Sequence, residues 1–454
     1  MRRLLMYTAI CMVAIGMTTT ANAQQDATPL SLQQCINYAL IHNAAVKNAL
    51  LDVKIQKAQN DQLVSAAYPK LNGKVELDDF FNPQKSFIDA STFNTTGKPL
   101  PPNTVAGISF SLPYAASLGL SASQVIFDGS VLVAVQARNS VMELARQSGK
   151  LTEEEVRYNV QKAYHALVIA GRQLAIIKSS LANARSMARD LEITRANGFA
   201  EKIDVDRTNV QVNNLATDSL RISNMLTLSR QLLKYQIGMD INQHIVLTDT
   251  AIDEHLLQAS TLVNEQLDYS RRTEYNLNRT QLKLYEYNVK RYKLTALPSI
   301  AAFGAMGYNY GQFTFGDVMK FSQYAFNSMA GLQINVPIYN GKLRQYQLKE
   351  AQLNVEKTNN NLENIKQTID FQTAQARSSL KNSLLQLESQ KRNMELSNTV
   401  LDLAHKKYAA GVGSNVEVTQ AQTDQLQSQN NYFSSLLDVV NAEADLLKAL
   451  GQFK

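Results

Sequence analysis

Apolar positions along this chain follow two different periods. Beyond Val156, the residues Val160, Ala163, Leu167, Ala170, Leu174, Ile177, Leu181, Ala184, Ala188 and Leu191 recur at alternating steps of four and three. That spacing is the seam of a helix packed on another helix. No Pro stands between residues 130 and 170, so the pattern predicts helix from about Ser130 to Asn197, as one piece or two end to end, ~100 Å long at ~1.5 Å per residue. A second segment, Lys342 to Ala410, carries a looser stripe of Leu380, Leu384, Leu387, Met394, Leu401 and Tyr408, interrupted by Lys391, Asn398 and His405. Both segments are expected to turn at Gly198 and Gly411, where a hairpin favours a residue tolerant of positive φ. They return along Ile203 to Ile237 and Val416 to Leu450, giving two antiparallel helical hairpins. In Ala330-Gly331-Leu332-Gln333-Ile334-Asn335-Val336-Pro337-Ile338 the period changes to two, as in a strand with one apolar and one wet face. Ile300 to Tyr308 and Leu118 to Ala122 repeat the alternation more weakly. Strands of ~10 residues have the span of a tilted membrane strand, and four cannot close a barrel whose practical minimum is ~8, so subunits would share one.

The chain is also self-similar. Ala67-Tyr68-Pro69-Lys70-Leu71 returns as Ala296-Leu297-Pro298-Ser299-Ile300, offset by 229; Ile126-Phe127-Asp128-Gly129 returns as Ile338-Tyr339-Asn340-Gly341, offset by 212; Gly198, Leu233 and Gly238 return as Gly411, Leu446 and Gly451, offset by 213. Three landmarks in one order indicate a duplication, each copy running helix, strand pair, long helix, tight turn, helix. The first copy holds 17 extra residues, which fall in the polar stretch Asn82 to Asn103 and mark it as a surface loop. The expected domains are a first repeat over 24–238 with its tip near 198, a connector over 239–262, and a second repeat over 263–454 with its tip near 411.

The N-terminus adds a compartment. Arg2 and Arg3 precede an apolar stretch from Leu4 to Met17, followed by Ala21-Asn22-Ala23, the pattern of a secretory signal peptide over 1–23. No later stretch reaches ~18 to 20 consecutive apolar residues, so no transmembrane helix is expected. After cleavage Cys35 is the one remaining cysteine, which forbids an internal disulfide and reads as a small buried residue. The 45 Lys and Arg and 39 Asp and Glu, a formal charge of +6, are interspersed without a basic block, so no nucleic-acid partner is indicated. There is no Trp; Phe80, Phe81, Tyr308, Tyr310, Phe313, Phe315, Phe321, Tyr324 and Phe326 crowd one set of strand ends, with Phe127 and Tyr339 at the other, as interfacial girdles or as ordinary strand formers.

Catalytic constellations are not found. His42, His165, His244, His255 and His405 are scattered, and no G-x-S-x-G, Walker or dinucleotide glycine pattern occurs. No enzyme activity, cofactor or metal is therefore expected. Two readings compete: a shared membrane barrel, and a secreted or periplasmic coiled-coil scaffold without a pore. The scaffold explains the heptads but not strands of membrane length at matched places in both copies.

With the duplicated hairpins, the strand pairs, Ile126-Phe127-Asp128-Gly129 and Ile338-Tyr339-Asn340-Gly341 in view, the chain resembles the TolC-like family of outer-membrane efflux and export channels. The opening Leu30-Ser31-Leu32-Gln33-Gln34, the strand entries at Pro69 and Pro298 and the closing Gly238 and Gly451 are also similar, and the likeness covers nearly all of residues 30–451. It implies an α+β membrane protein: a homotrimer in which each subunit gives four strands to a 12-stranded β-barrel and its coiled-coil hairpins to a periplasmic α-barrel. It further implies an outer-membrane location and docking on a periplasmic adaptor and an inner-membrane pump. The resemblance places function at the tips. Asp204 and Glu417, in the acid-Val pairs after the turn glycines, match acidic positions at the periplasmic entrance, and Tyr408 matches a latch tyrosine. Gln420 stands where some members place a second acid, and Gly413 where some place a latch arginine, so a simpler lock is expected. Gly198, Phe199, Ala200, Gly411, Val412, Gly413 and Ser414 match adaptor-contacting turns. Threefold repetition of each carboxylate would repel anions at the narrowest point; an acid in a first helical turn also complements the helix dipole, worth ~0.3–1 kcal/mol.

Overall fold

The computed structural model describes residues 28–89, 101, 105–109, 111–248, 259–318, 320 and 324–453. The signal peptide over 1–23, Phe321, His255 and the central parts of the Asn82–Asn103 stretch and of the connector lie outside the described residues. In chain order the elements are β1 (Thr28–Leu30), α1 (Leu32–His42), α2 (Ala44–Ser65), β2 (Lys70–Asp79), β3 (Lys85–Asp89), β4 (Val105–Ser109), β5 (Tyr114–Phe127), α3 (Gly129–Ala196), α4 (Lys202–Ile237), β6 (Ile245–Leu247), a short 3-10 turn (Tyr269–Arg271), α5 (Thr273–Leu294), β7 (Ser299–Gln312), α6 (Phe315–Val318), β8 (Ala325–Asn335), α7 (Leu343–Ala409) and α8 (Asn415–Ala449). The chain divides into two units: residues up to 51, 147–276 and 364–454 form one, and 52–146 with 277–363 the other.

The long segments are single helices of 68 and 67 residues. All four glycines that end a hairpin arm do so alike. Gly198, Gly238, Gly411 and Gly451 have φ of 79°, 74°, 75° and 71°. At each, the glycine N–H bonds the carbonyl three residues back while the next N–H bonds the one five back, as in Phe199 to Thr194 and Val412 to Lys407, a Schellman stop. Their surroundings differ. A Cβ at Gly198 or Gly411 would meet nothing within 4 Å, whereas one at Gly238 would stand 2.7 Å from the His42 carbonyl oxygen. Gly198→Ala is therefore expected to cost only the left-handed conformation, ~1–2 kcal/mol, and Gly238→Ala clearly more. Thermal unfolding midpoints of the two variants in detergent check this; equal shifts would contradict it.

In the helical unit the predicted seam of α3 is buried from Val160 to Leu191, with Ala188 half-buried. Around it Cys35, Tyr164, Leu233, Ile237, Leu380, Leu436, Leu446 and Leu450 form the main core. Burial pushes the Cys35 thiol up to about 11, leaving it a packing residue with no thiolate. The short β1 and β6 pair in parallel beside this core. Towards the tips the core narrows to small clusters, Leu181 and Ala184 with Leu215, then Ala404 with Val418 and Ala421. The seam of α7 is not in fact interrupted. Lys391, Asn398 and His405 are exposed, while Gln390, Ser397 and Ala404 turn inward. The three-four spacing thus continues through residues whose polarity or small size hides it.

In the other unit four strands form an antiparallel sheet in the order β2-β5-β7-β8. Register pairs Val75 with Leu118, Leu118 with Tyr308 and Tyr308 with Phe326, so these share one face. The same face carries Leu71, Leu77, Leu120, Met306, Leu332 and Ile334, all about half or more exposed to the surroundings. Asn72, Ser117, Ser121, Asn309, Asn327 and Gln333 occupy the opposite face. Small residues let the backbones approach: a Cβ at Gly307 would lie 2.7 Å from the Leu118 carbonyl, and the Phe303 ring covers Gly331 across the ladder. β2 and β8 are the sheet's edges.

Two expectations need correction. The 82–103 stretch is not merely a loop, because Lys85–Asp89 pairs antiparallel with Val105–Ser109. The strand expected to reach Ile338 stops at Asn335, since Pro337 has no N–H to extend a ladder and restricts Val336. The aromatic residues also divide. Tyr310 is buried, stacked on Tyr324 at 4.9 Å and donating to the Asp317 carbonyl oxygen, while Phe81 and Phe313 stand free.

Candidate gate at the hairpin tips

The tip of each hairpin is set by its Schellman stop and by the cap that restarts the chain as helix. Ser414 caps α8, its Oγ accepting from the Glu417 N–H at 3.2 Å, whereas Glu201 precedes α4 without a side-chain cap. Asp204 and Glu417 each lie in a first helical turn, and the following Val205 and Val418 are buried. In both pairs the valine anchors the turn, while the acid is exposed at Glu417 and half-buried at Asp204.

The two acids do not have equivalent surroundings. Glu417 is exposed, beside a groove of about 440 Å³ lined by Leu403, Ala404, Lys407, Gln420 and Asp424. Asp204 is half-buried, and Asn415 from the other hairpin reaches it: Asn415 Nδ2 donates to the Asp204 carbonyl oxygen at 3.1 Å and to Oδ1 at 3.3 Å. Asn415 is itself buried, with its own Oδ1 unsatisfied within the subunit. The Asp204 carbonyl also accepts from Thr208 Oγ1 at 2.9 Å. Tyr408 packs against Ala404, Val418 and Ala421. Burial, and then the negative charge of Asp204, raise its pKa above the ordinary phenol value, so at neutral pH it presents a neutral hydroxyl beside a carboxylate.

Gln420 is exposed and donates to Asp424 Oδ1 at 2.9 Å. A carboxylate is therefore present one turn beyond the position where the resemblance expected one. Gly413 has a steric reason to lack a side chain: a Cβ there would fall 2.9 Å from Lys407 Cβ and 3.0 Å from the Tyr408 N. A latch arginine does not fit this turn without moving it. Phe199 and Val412, at matching places after the turn glycines, are 85% and 77% exposed, two apolar knobs that the tips leave uncovered. Ala200 is half-buried beside them. Sequence reasoning missed Asn415, since an Asn at the start of a helix looks like a simple end signal, and it missed Asp424, which lies a full turn beyond the expected place.

Residues 272–452 match the family described as Outer membrane efflux protein. The probable efflux pump outer membrane protein TtgC of Pseudomonas putida is 22% identical over 440 residues, covering 93% of this chain and 83% of that protein. Among solved structures, the outer membrane protein VceC of Vibrio cholerae superimposes with a TM-score of 0.67 at 17% identity, covering 92% of this chain and 96% of its own. The open state of the MtrE outer membrane channel of Neisseria gonorrhoeae gives 0.67 at 17%, covering 93% and 89%.

Proposed function

We propose, from the premise that the chain is TolC-like in fold and matches the outer membrane efflux protein family over its second half, that it is the outer-membrane channel of an efflux system. The observation that carries this reading is the two-faced sheet. Its exposed face carries Leu, Ile, Val, Met, Tyr and Phe interspersed mostly with Ala and Gly, and its other face is mainly Ser, Asn, Gly, Ala and Gln with charged residues on β2. A soluble scaffold would leave that apolar face as a large patch in water, where monomeric proteins rarely tolerate one. In lipid the same alternation is what a barrel wall requires, and the open edges β2 and β8 have to be paired because hydrocarbon satisfies no backbone group. Three copies supply 12 strands, edge to edge.

On this reading the helical hairpins extend into the periplasm and the channel conducts passively, receiving solutes from a periplasmic adaptor and an inner-membrane pump. Phe199 and Val412, with Gly198, Ala200, Gly411, Gly413 and Ser414 around them, are the surface offered to the adaptor. Asp204, Tyr408, Glu417 and Gln420 form the periplasmic gate. Support for the gate comes from the Asn415–Asp204 contact, which ties one hairpin to the other at their tips. Cell fractionation tests the whole assignment: the mature protein is expected in the outer-membrane fraction, extracted only by detergent and migrating as a trimer. Recovery in the soluble periplasm would leave the scaffold reading instead.

A further inference from the structure

The polar face of the sheet is not uniformly polar. Its ionisable residues are confined to β2, where Lys70, Lys74, Glu76 and Asp78 stand at every second or fourth position. The same face of β5, β7 and β8 carries none, and Ser117, Gly119 and Ser121 beside Gly307 leave open space around the β2 side chains. The four charges are ordered along the strand: both lysines lie towards the helix-linked start of β2 and both acids towards its loop end. Lys74 and Glu76 pair at 2.7 Å, which neutralises the middle and leaves Lys70 at one end and Asp78 at the other.

We infer that the barrel interior is a two-tier charge filter, a ring of Lys70 at the periplasmic end and a ring of Asp78 at the exit, which favours net-neutral or zwitterionic solutes over ions of either sign. The inference rests on the barrel reading above. Eight residues separate the tiers, ~26 Å along a strand at ~3.3 Å per residue and ~20 Å along the axis for a tilt of ~40°. The Debye length is ~8 Å at physiological salt, so a solute meets the tiers in turn and their fields do not cancel. A net anion is drawn to the lysine tier and opposed at the exit. A net cation meets the reverse order. A solute without net charge passes both without a barrier of this kind.

Single cysteines report the local potential independently of the tips, because the native Cys35 is fully buried. Ser123→Cys stands opposite Lys70 and Ala115→Cys opposite Asp78. Anionic sulfonate-bearing and cationic ammonium-bearing methanethiosulfonates would be applied to the trimer in liposomes and their rates compared. The cysteine at 123 should prefer the anionic reagent and the one at 115 the cationic. Lys70→Gln and Asp78→Asn should each reduce the matching preference by about twofold, the size expected of one charge acting across roughly one Debye length of water on reagents of opposite sign. Reaction at both cysteines with no charge preference would overturn the filter and leave the barrel standing. No reaction at either, with either reagent, would show that this face is not water-lined and would remove the barrel reading itself.

Discussion

Leu120→Arg should abolish or severely weaken the assembled channel, while Ser121→Arg, one residue along, should be tolerated. Leu120 is at the middle of the 14-residue β5, on the apolar face, paired with Gly73 and Met306. The midpoint of a membrane strand lies near the bilayer midplane, where an arginine on the lipid face costs ~2–4 kcal/mol. Trimerisation repeats that cost three times. Ser121 faces the other way, between Asn72 and Ala305, where an arginine head can stay hydrated. The readout is the yield of trimer in the outer-membrane fraction and its resistance to urea. Were the sheet a soluble element, the order would reverse or vanish, because a charge replacing an exposed leucine in water usually changes stability by no more than ~0.5 kcal/mol.

The contrast between neighbouring residues shows why the sheet could be read from the sequence. A period of two survives any uncertainty in strand ends, since a slip of one residue would exchange Leu118 with Ser117 and most large apolar neighbours with small or polar ones. The hairpins were legible for a similar reason: the seam of α3 is aliphatic, and the glycines that stop α3, α4, α7 and α8 have positive φ that other residues resist. Legibility ended where the signal lies between elements. The continuous seam of α7 passes through Gln390 and Ser397, which no hydrophobic pattern marks. The different settings of Asp204 and Glu417 depend on Asn415, 211 residues away from Asp204 in sequence. Equivalent positions in the two copies nevertheless stand in different surroundings, Asp204 half-buried against Asn415 and Glu417 exposed. Gly129 and Gly341 make the same point. Gly129 is a glycine because Leu294 leaves a Cβ only 2.5 Å from its carbonyl oxygen, and Gly341 because its φ is 64° in open space.

That asymmetry yields the second large effect, which concerns opening. Asp204 receives the side chain of Asn415 across the two hairpins, so movement of one tip against the other breaks this contact, whereas Glu417 stands exposed and takes part in its helix start through its backbone N–H. Losing a hydrogen bond of this kind is worth ~1 kcal/mol. Three subunits acting together give ~3 kcal/mol, a roughly hundredfold shift of the closed-to-open equilibrium. Asp204→Ala is therefore expected to raise single-channel open probability and antibiotic entry strongly, and Glu417→Ala much less. Asn415→Ala should open the channel at least as strongly without removing any charge, because Asp204→Ala still leaves Asn415 its bond to the main-chain carbonyl at 3.1 Å. Asp204→Asn, which keeps a side-chain acceptor for Asn415, should stay mostly closed. A ring of repelling charge predicts another order: Asp204→Asn and Asp204→Ala would increase anion passage equally, and Asn415→Ala would do nothing. If each acid served only its helix dipole, conductance would be unchanged in all four variants and the three that remove a carboxylate would lose ~0.3–1 kcal/mol of stability per site. Recording the four proteins side by side in planar bilayers separates the three cases, because Asn415→Ala opens the channel while Asp204→Asn leaves it mostly closed only where the bond between hairpins holds the tips together.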